Sequence, residues 1–424
     1  MIGAGVSGLA ARRLFVSSGD DVVLYDRDHG AVAGVPGAAS GAWDPRLLEG
    51  ADVVVVSPGV PEHAPPVRDA VAAGCTVWSE VEAAARRLTI PYGAVTATNG
   101  KTTVTAAAAA MLQASAMEAA AVGNIGEPLS DAVDGAHQVL VIETSSFQLR
   151  FVDEFHPAAA VLLNVAPDHL DWHGTFDAYV AAKQRIYENM AGGDVLVFDC
   201  DDPGATDAVA GAACRVAPVS GSRRVEGGGP GGDRLWIGDA AVELGDLPRR
   251  DPAYLVDLAA AGVVAAHLGA SPEGIAAGAL SFRPEAHRRA LVGQWRGIAW
   301  VDDSKATNPH AAAAAIRSYE SVVLIAGGRN KGLDVAALAS EPSVRYVVGL
   351  GEAGPEIVAA AERGEMAPDM GAAVRAAARE ARPGDTVLLA PGCASFDQFE
   401  SYAARGEAFA EAVLVEQGVS WPAG

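Results

Sequence analysis

The sequence predicts an α/β protein of three domains, and three observations carry that expectation. The chain of 424 residues is long against the roughly 100–200 residues of a usual domain. Apolar runs of strand length alternate with helical sequence along nearly all of it, the pattern of largely parallel sheets flanked by helices. The alternation starts afresh twice, which sets domains at 1–87, 88–284 and 285–424.

The first domain opens on a glycine turn, GAGVSG at 3–8, followed by the helix LAARRLFVSSG, the strands DVVLYDR and DVVVVSPG, and a helix near 66–73. The turn fits GxGxxG and Asp26 closes the next strand, the arrangement that seats a diphosphate on a helix N-terminus. By itself this start suits a flavin- or nicotinamide-dependent oxidoreductase. Only Met1 and Ile2 precede Gly3, where a strand of about five residues is usual, so the natural chain is expected to begin several apolar residues earlier.

In the second domain the strand-like IPYGAVTAT runs into ATNGKTT at 97–103 and then a long Ala-rich helix. A strand, a tight glycine loop and a helix N-terminus together point backbone N–H groups at a phosphate. Lys101 would reach the terminal phosphates, and the Thr102 hydroxyl stands where such loops bind magnesium, a hard cation that takes oxygen ligands. The buried-strand pattern VLVIE ends in ETSSFQL at 143–149, so Glu143 falls at the carboxyl end of a strand. A carboxylate there is as often solvated as metal-binding; its company on neighbouring strands decides. The strand AAVLL precedes NVAPDHLDWHG at 164–174, with His169 among carboxylates that can orient its ring, Asp168 and Asp171. Lys183, in YVAAKQRIYE, has Tyr179 and Tyr187 one turn either side; periodicity alone makes it a snorkelling lysine. The strand VLVFD follows, and the Gly-rich VSGSRRVEGGGPGGDR at 219–234 reads as a surface turn or mobile loop between short strands.

The third domain opens with EAHRRALV at 285–292 and carries the strands IAWVDD, SVVLIAGG, VRYVVGLG and TVLLAPG. Three of these run into polar strings: VDDSKATNP at 301–309, AGGRNKG at 326–332 and CASFDQFESYAARG at 393–406. Cys393 reads as a small buried residue and not a nucleophile. A net charge of −22 opposes a broad nucleic-acid footprint and fits solubility. The four cysteines form no CxxC pair, no uninterrupted apolar stretch reaches the roughly 20 residues that span a bilayer, and a reducing cytoplasm fits best.

ATNGKTT is not GxxxxGK[ST] but the shorter TNGK[ST] loop of Mur ligases and folylpolyglutamate synthetases. With SSFQL, NVAPDHLD, DSKATN and CASFDQF, all in the expected order, the chain resembles the Mur ligase family over essentially its whole length. The resemblance implies a Rossmann-like N-terminal domain, a central P-loop ATPase-like domain and a Rossmann-like C-terminal domain, with activation of a carboxylate as an acyl phosphate by ATP. SSFQL and CASFDQF are closest to the branch that joins D-glutamate to UDP-N-acetylmuramoyl-L-alanine.

By the same resemblance Val6, Ser7, Asp26, Arg27, Ser57, Gly59 and Asn124 would hold the UDP substrate. ATP would lie on Thr98, Asn99, Gly100, Lys101, Thr102 and Thr103, with Arg288, Asp303 and Lys305 reaching it from the last domain. Two Mg2+ ions would take ligands from Thr102, Glu143, His169 and Lys183, the last as a carbamate formed with carbon dioxide. Thr307, Lys331, Ser395 and Tyr402 would hold D-glutamate, and Lys101, Glu143, His169 and Lys183 are the catalytic set. A cytoplasmic monomer is expected, with no nucleic-acid or membrane partner. Two positions depart from the family pattern: Ala97 stands for a glycine and Asp257, in DPAYLVDLAAAG, for an asparagine. Rival readings are another Mur or folate ligase, the oxidoreductase, and a catalytically inactive binding homologue.

Overall fold

Apolar runs spaced along residues 92–219 are long enough for strands and too short for buried helices, and in the computed structural model, which describes residues 1–418, they join one sheet. Its nine strands lie in the order Ala240–Glu243, Arg234–Ile237, Gly228–Gly231, Arg215–Val219, Val195–Asp199, Ala159–Leu162, Tyr92–Thr96, Val139–Glu143, Ala119–Gly123. Pairing is parallel except in the two ladders formed by 228–231, 234–237 and 240–243. Successive side chains enter opposite cores, as the pleat demands. Val139 and Val141 pack with the helices Lys101–Ala114 and Pro252–His267, whereas Leu140 and Ile142 pack with Leu149, Tyr179 and Ile186.

The Gly-rich segment departs from expectation. Gly228–Gly231 is a strand of this sheet and not only a loop. Glycine is needed there because a Cβ on Gly229 would sit 2.0 Å from the Arg223 carbonyl oxygen and one on Gly228 2.7 Å from that of Trp236. Close backbone approach, which composition resembles looseness, explains the misreading.

Residues 1–85 form a smaller parallel arrangement. Tyr25–Asp26 pairs with Ala39–Ser40, Val53–Val56 pairs with Thr76–Ser79, and Ile2 bridges Tyr25 on one side and Val56 on the other. The expected strand DVVLYDR is realised only at Tyr25–Asp26, although the carbonyls of Val23 and Leu24 still accept from Met1 N and Ala39 N. Helix Glu80–Ala85 joins this part to the large sheet. The buried Glu82 carboxylate accepts from the N–H groups of Asp153, Glu154 and Phe155 and pairs with Arg86, so its charge is satisfied before it is buried.

The described chain divides into two compact units, Met1–Val165 with Trp172–Phe282, and Ala166–Asp171 with residues from Arg283 onward. The second unit holds a six-stranded sheet in the order Ala290–Trp295, Ile298–Asp302, Thr386–Leu389, Val322–Gly327, Val344–Leu350, Gly364–Met366. All its ladders are parallel except the first hairpin. The four expected strands are present, and the polar strings begin where the strands of residues 298–302, 322–327 and 386–389 end.

Candidate active site

The candidate phosphate loop owes its shape to one glycine. Gly100 has φ +92°, and a Cβ there would lie 2.6 Å from Asp257 Oδ1 and 2.9 Å from Leu163 Cδ2. Helix Lys101–Ala114 starts at the next residue, so Thr102 and Thr103 lie in its first turn, where N–H groups have no intrahelical acceptor and attract an anion. Asn164 braces the loop: its Oδ1 accepts from Asn99 N (2.8 Å), its Nδ2 donates to Asn99 O (2.9 Å) and its carbonyl accepts from Thr98 N. Thr98 Oγ1 and the Tyr179 hydroxyl are 3.0 Å apart.

Two lysines converge on the loop. Lys101 Nζ donates to the carbonyls of Ala97 (2.7 Å) and Thr98 (3.1 Å), and Lys183 Nζ donates to Ala97 O (2.7 Å). Lys183 is 1% exposed and lies over the Tyr179 ring, so periodicity misjudged it as snorkelling: its helix Phe176–Gln184 turns this face to the sheet. Ala97 is fully buried in the apolar core without a positive φ, so its methyl group is accommodated at this position.

Glu143 ends its strand opposite Val95, two residues before Ala97. It is buried; its Oε1 accepts from Asn124 Nδ2 at 2.8 Å, while among the described residues Oε2 has no hydrogen-bond partner. A buried carboxylate oxygen without a partner is costly unless something cationic is to meet it. A carboxylate oxygen is the kind of donor that a hard divalent cation takes.

The N-terminal turn frames a cavity of about 770 Å³ lined by Val6, Ser7, Asp26, Arg27, Ser57 and Gly59 among others. Asp26 Oδ2 accepts from Ala4 N at 2.7 Å, and the Ser57 hydroxyl donates to Gly3 O at 3.1 Å. A Cβ on Gly8 would lie 1.9 Å from Gly3 O, so the helix can approach the turn only with glycine at that position. Six of the seven residues expected to hold the UDP substrate therefore line one cavity; Asn124 instead sits on Glu143.

In the second unit, Asp168 accepts from Asn308 Nδ2 (3.0 Å) and from Lys331 Nζ (3.3 Å), and His169 has φ +53°. Burial would raise the Asp168 carboxyl, but the charges of His169 and Lys331 and the bond from Asn308 outweigh it and hold it below the usual range. Lys305 pairs with Glu285 and lies over the Tyr402 ring. Asp303 Oδ1 accepts from Arg289 N at 3.1 Å, and Asp302 Oδ2 is 2.7 Å from His287 Nδ1. Arg288 stands between two residues of positive φ, His287 at +60° and Arg289 at +48°. Thr307 N donates to Lys305 O, and Ser395, buried, caps the turn to Phe399 with its carbonyl.

Comparison with known proteins accounts for this arrangement. Residues 1–79 match the N-terminal domain of Mur ligases of the MurD-like type, 95–225 the Mur ligase middle domain and 287–393 the Mur ligase glutamate ligase domain. The chain is 42% identical over 452 aligned residues to the UDP-N-acetylmuramoylalanine--D-glutamate ligase of Frankia casuarinae, covering 99% of this chain and 94% of that one. The chain belongs to the Mur ligase family. The Thermobifida fusca protein of the same name is 39% identical, with 98% of each chain covered. Among solved structures, the Mur ligase fold recurs in a pseudomurein peptide ligase type C from Methanothermus fervidus (TM-score 0.60, 16% identity, 92% and 95% of the chains). It also recurs in MurF of Thermotoga maritima in complex with ADP (0.59, 17%, 89% and 97%). The expected family and its three-domain architecture are thus established.

Three residues that touch this candidate site carry no assignment in the sequence. Asn164 and Tyr179 brace the loop, and only their position just after a strand and just before Lys183 signalled them. Asp257, which stands where the family pattern has an asparagine, lies against Gly100 at the helix N-terminus, where the positive end of the helix dipole favours an anion.

Proposed function

We propose that this chain is an ATP-dependent ligase that joins D-glutamate to UDP-N-acetylmuramoyl-L-alanine through an acyl phosphate, acting as a monomer in the cytoplasm. The observation that carries it is the phosphate loop, with Lys101 and Lys183 turned onto the Ala97 carbonyl in a chain so similar to ligases of that name. In this reading residues 1–87 hold the UDP substrate, 88–284 ATP and 285–424 the amino acid.

A carboxylate resists an amine until one of its oxygens becomes a leaving group. In the first step an oxygen of the L-alanine carboxylate bonds to the γ-phosphorus as the bond to the β,γ-bridging oxygen breaks, giving ADP and a mixed anhydride. Lys101 and the N–H groups of residues 100–103, at the start of the helix, offset charge on the transferred group, and Arg288, Asp303 and Lys305 orient the nucleotide. In the second step the D-glutamate nitrogen bonds to the acyl carbon, loses a proton, and phosphate departs to leave an amide. Thr307, Lys331, Ser395 and Tyr402 hold the amino acid, positioning the amine.

Thr102 and Glu143 would hold magnesium, with His169 and a carbamate on Lys183 as further ligands by family resemblance. Bound magnesium supplies Lewis-acid neutralisation of phosphate charge. The unpartnered Glu143 Oε2 supports the first of these sites, and a carbamate signal in 13C NMR after equilibration with labelled bicarbonate, lost in Lys183→Ala, would test the last.

The decisive assay supplies ATP, magnesium and UDP-N-acetylmuramoyl-L-alanine with D-glutamate, L-glutamate, L-lysine or meso-diaminopimelate, and weighs the product. Coupling of D-glutamate alone is expected. Coupling of a different amino acid would overturn the substrate assignment, and no coupling at all would overturn the ligase.

A further inference from the structure

Arg405 is 1% exposed and, among the described residues, has no carboxylate at ion-pair distance. A buried guanidinium is costly unless its N–H groups are satisfied. Here the acceptors come from two loops. Nε donates to Ser304 Oγ (2.9 Å), Nη2 to Ser304 O (2.8 Å) and Nη1 to Cys393 O (3.1 Å). The Ser304 hydroxyl in turn donates to Tyr402 O at 2.8 Å. Burial lowers the Arg405 pKa to about 10, still far above neutrality, so the fork stays charged.

Those two loops carry the residues assigned to the amino acid and nucleotide. Ser304 lies between Asp303 and Lys305, with Thr307 beyond it. Cys393 lies two residues before Ser395, and the same strip is bonded to the third loop through Arg329 N and Ala394 O (2.9 Å). The neighbouring Gly406 completes the junction: a Cβ on it would lie 2.1 Å from His287 Nδ1 and 2.7 Å from Asp302 Oδ2. The first turn of helix Tyr402–Glu416 and the glycine after it thus touch the segments that carry Arg288, Lys305 and Ser395.

We infer that Arg405 is a positioning residue for the incoming amino acid, its planar fork fixing the spacing between the Lys305–Thr307 loop and Ser395. The inference rests on the function proposed above. A lysine keeps the charge but offers no fork with fixed geometry, so it cannot hold two loops at a set distance.

The test compares wild type, Arg405→Lys and Arg405→Ala, measuring KM for D-glutamate, kcat, calorimetric affinity for UDP-N-acetylmuramoyl-L-alanine, and response to millimolar guanidinium. We expect KM for D-glutamate to rise roughly tenfold in Arg405→Lys and more in Arg405→Ala, the loss of one or more charged hydrogen bonds. UDP-substrate affinity should stay within about twofold, and guanidinium should recover part of the KM of Arg405→Ala. If Arg405→Ala does not fold, Arg405→Lys decides alone. An unchanged KM for D-glutamate, or equal losses toward both substrates, would overturn the inference. Failure of wild type to couple D-glutamate would instead overturn the proposed function.

Discussion

The two segments assigned to phosphate adopt left-handed backbone by opposite means. In the loop before helix Lys101–Ala114 the positive φ falls on a glycine, Gly100, which pays no steric penalty there. In the segment around Arg288 it falls on His287 and Arg289, where each such residue costs about 1–3 kcal/mol and persists only if its surroundings insist. The surroundings are two adjacent carboxylates: Asp302 grips the His287 ring and Asp303 the Arg289 N–H. One loop is shaped by its own covalent structure and the other by its partners.

That contrast can be broken at several points. The largest effect is expected from Gly100→Ala, which combines a disfavoured φ with a Cβ 2.6 Å from Asp257: a stability loss of about 2–4 kcal/mol in urea unfolding, with ATP-dependent turnover abolished. Asp257→Ala in the same background should recover only the part owed to the clash. Next, Asp302→Ala should lower kcat about tenfold or more by releasing the His287 side of the Arg288 segment. Adding His287→Gly, which tolerates the backbone without a grip, should restore stability but not kcat.

A third effect separates charge from backbone. Glu80, buried, is raised to about 7, mainly by desolvation, against the bond from Ser130 N. Its folded pKa lies above its unfolded value, so the folded state holds the proton longer, and stability falls as pH rises from about 4.5 to about 7 and then levels. Glu80→Gln should remove that slope, on the order of 2–3 kcal/mol across the window, read from urea midpoints at pH 5 and pH 8. Asp199, raised to about 7 by burial, contributes in the same sense and should leave a residual slope in the variant. The smallest effect is expected from Glu285→Gln: its pair with Lys305 is partly exposed, so KM for ATP should change less than about threefold and lose part of its salt dependence.

The same contrast explains what could be read from the sequence. ATNGKTT was legible because strand, glycine and helix are consecutive, and Glu143 because it closes a neighbouring strand, whereas the role of Lys183 was legible only by family resemblance. The Arg288 segment was legible only by family resemblance, since nothing in EAHRRALV states that Asp302 and Asp303 will hold it. Burial of Lys183, the brace from Asn164 and the junction at Arg405 all depend on contacts between residues far apart in sequence, which periodicity cannot report. The Gly-rich strand at 228–231 failed for the converse reason: glycine marks close packing as well as loose turns.

The central claim is that the L-alanine carboxylate is activated by phosphoryl transfer. It is tested most directly by turnover of UDP-N-acetylmuramoyl-L-alanine carrying 18O in that carboxylate, with mass analysis of the released phosphate. One 18O atom per phosphate, formed together with ADP and only when D-glutamate is coupled, is the expected result. Unlabelled phosphate, or label appearing in AMP, would contradict the acyl-phosphate route.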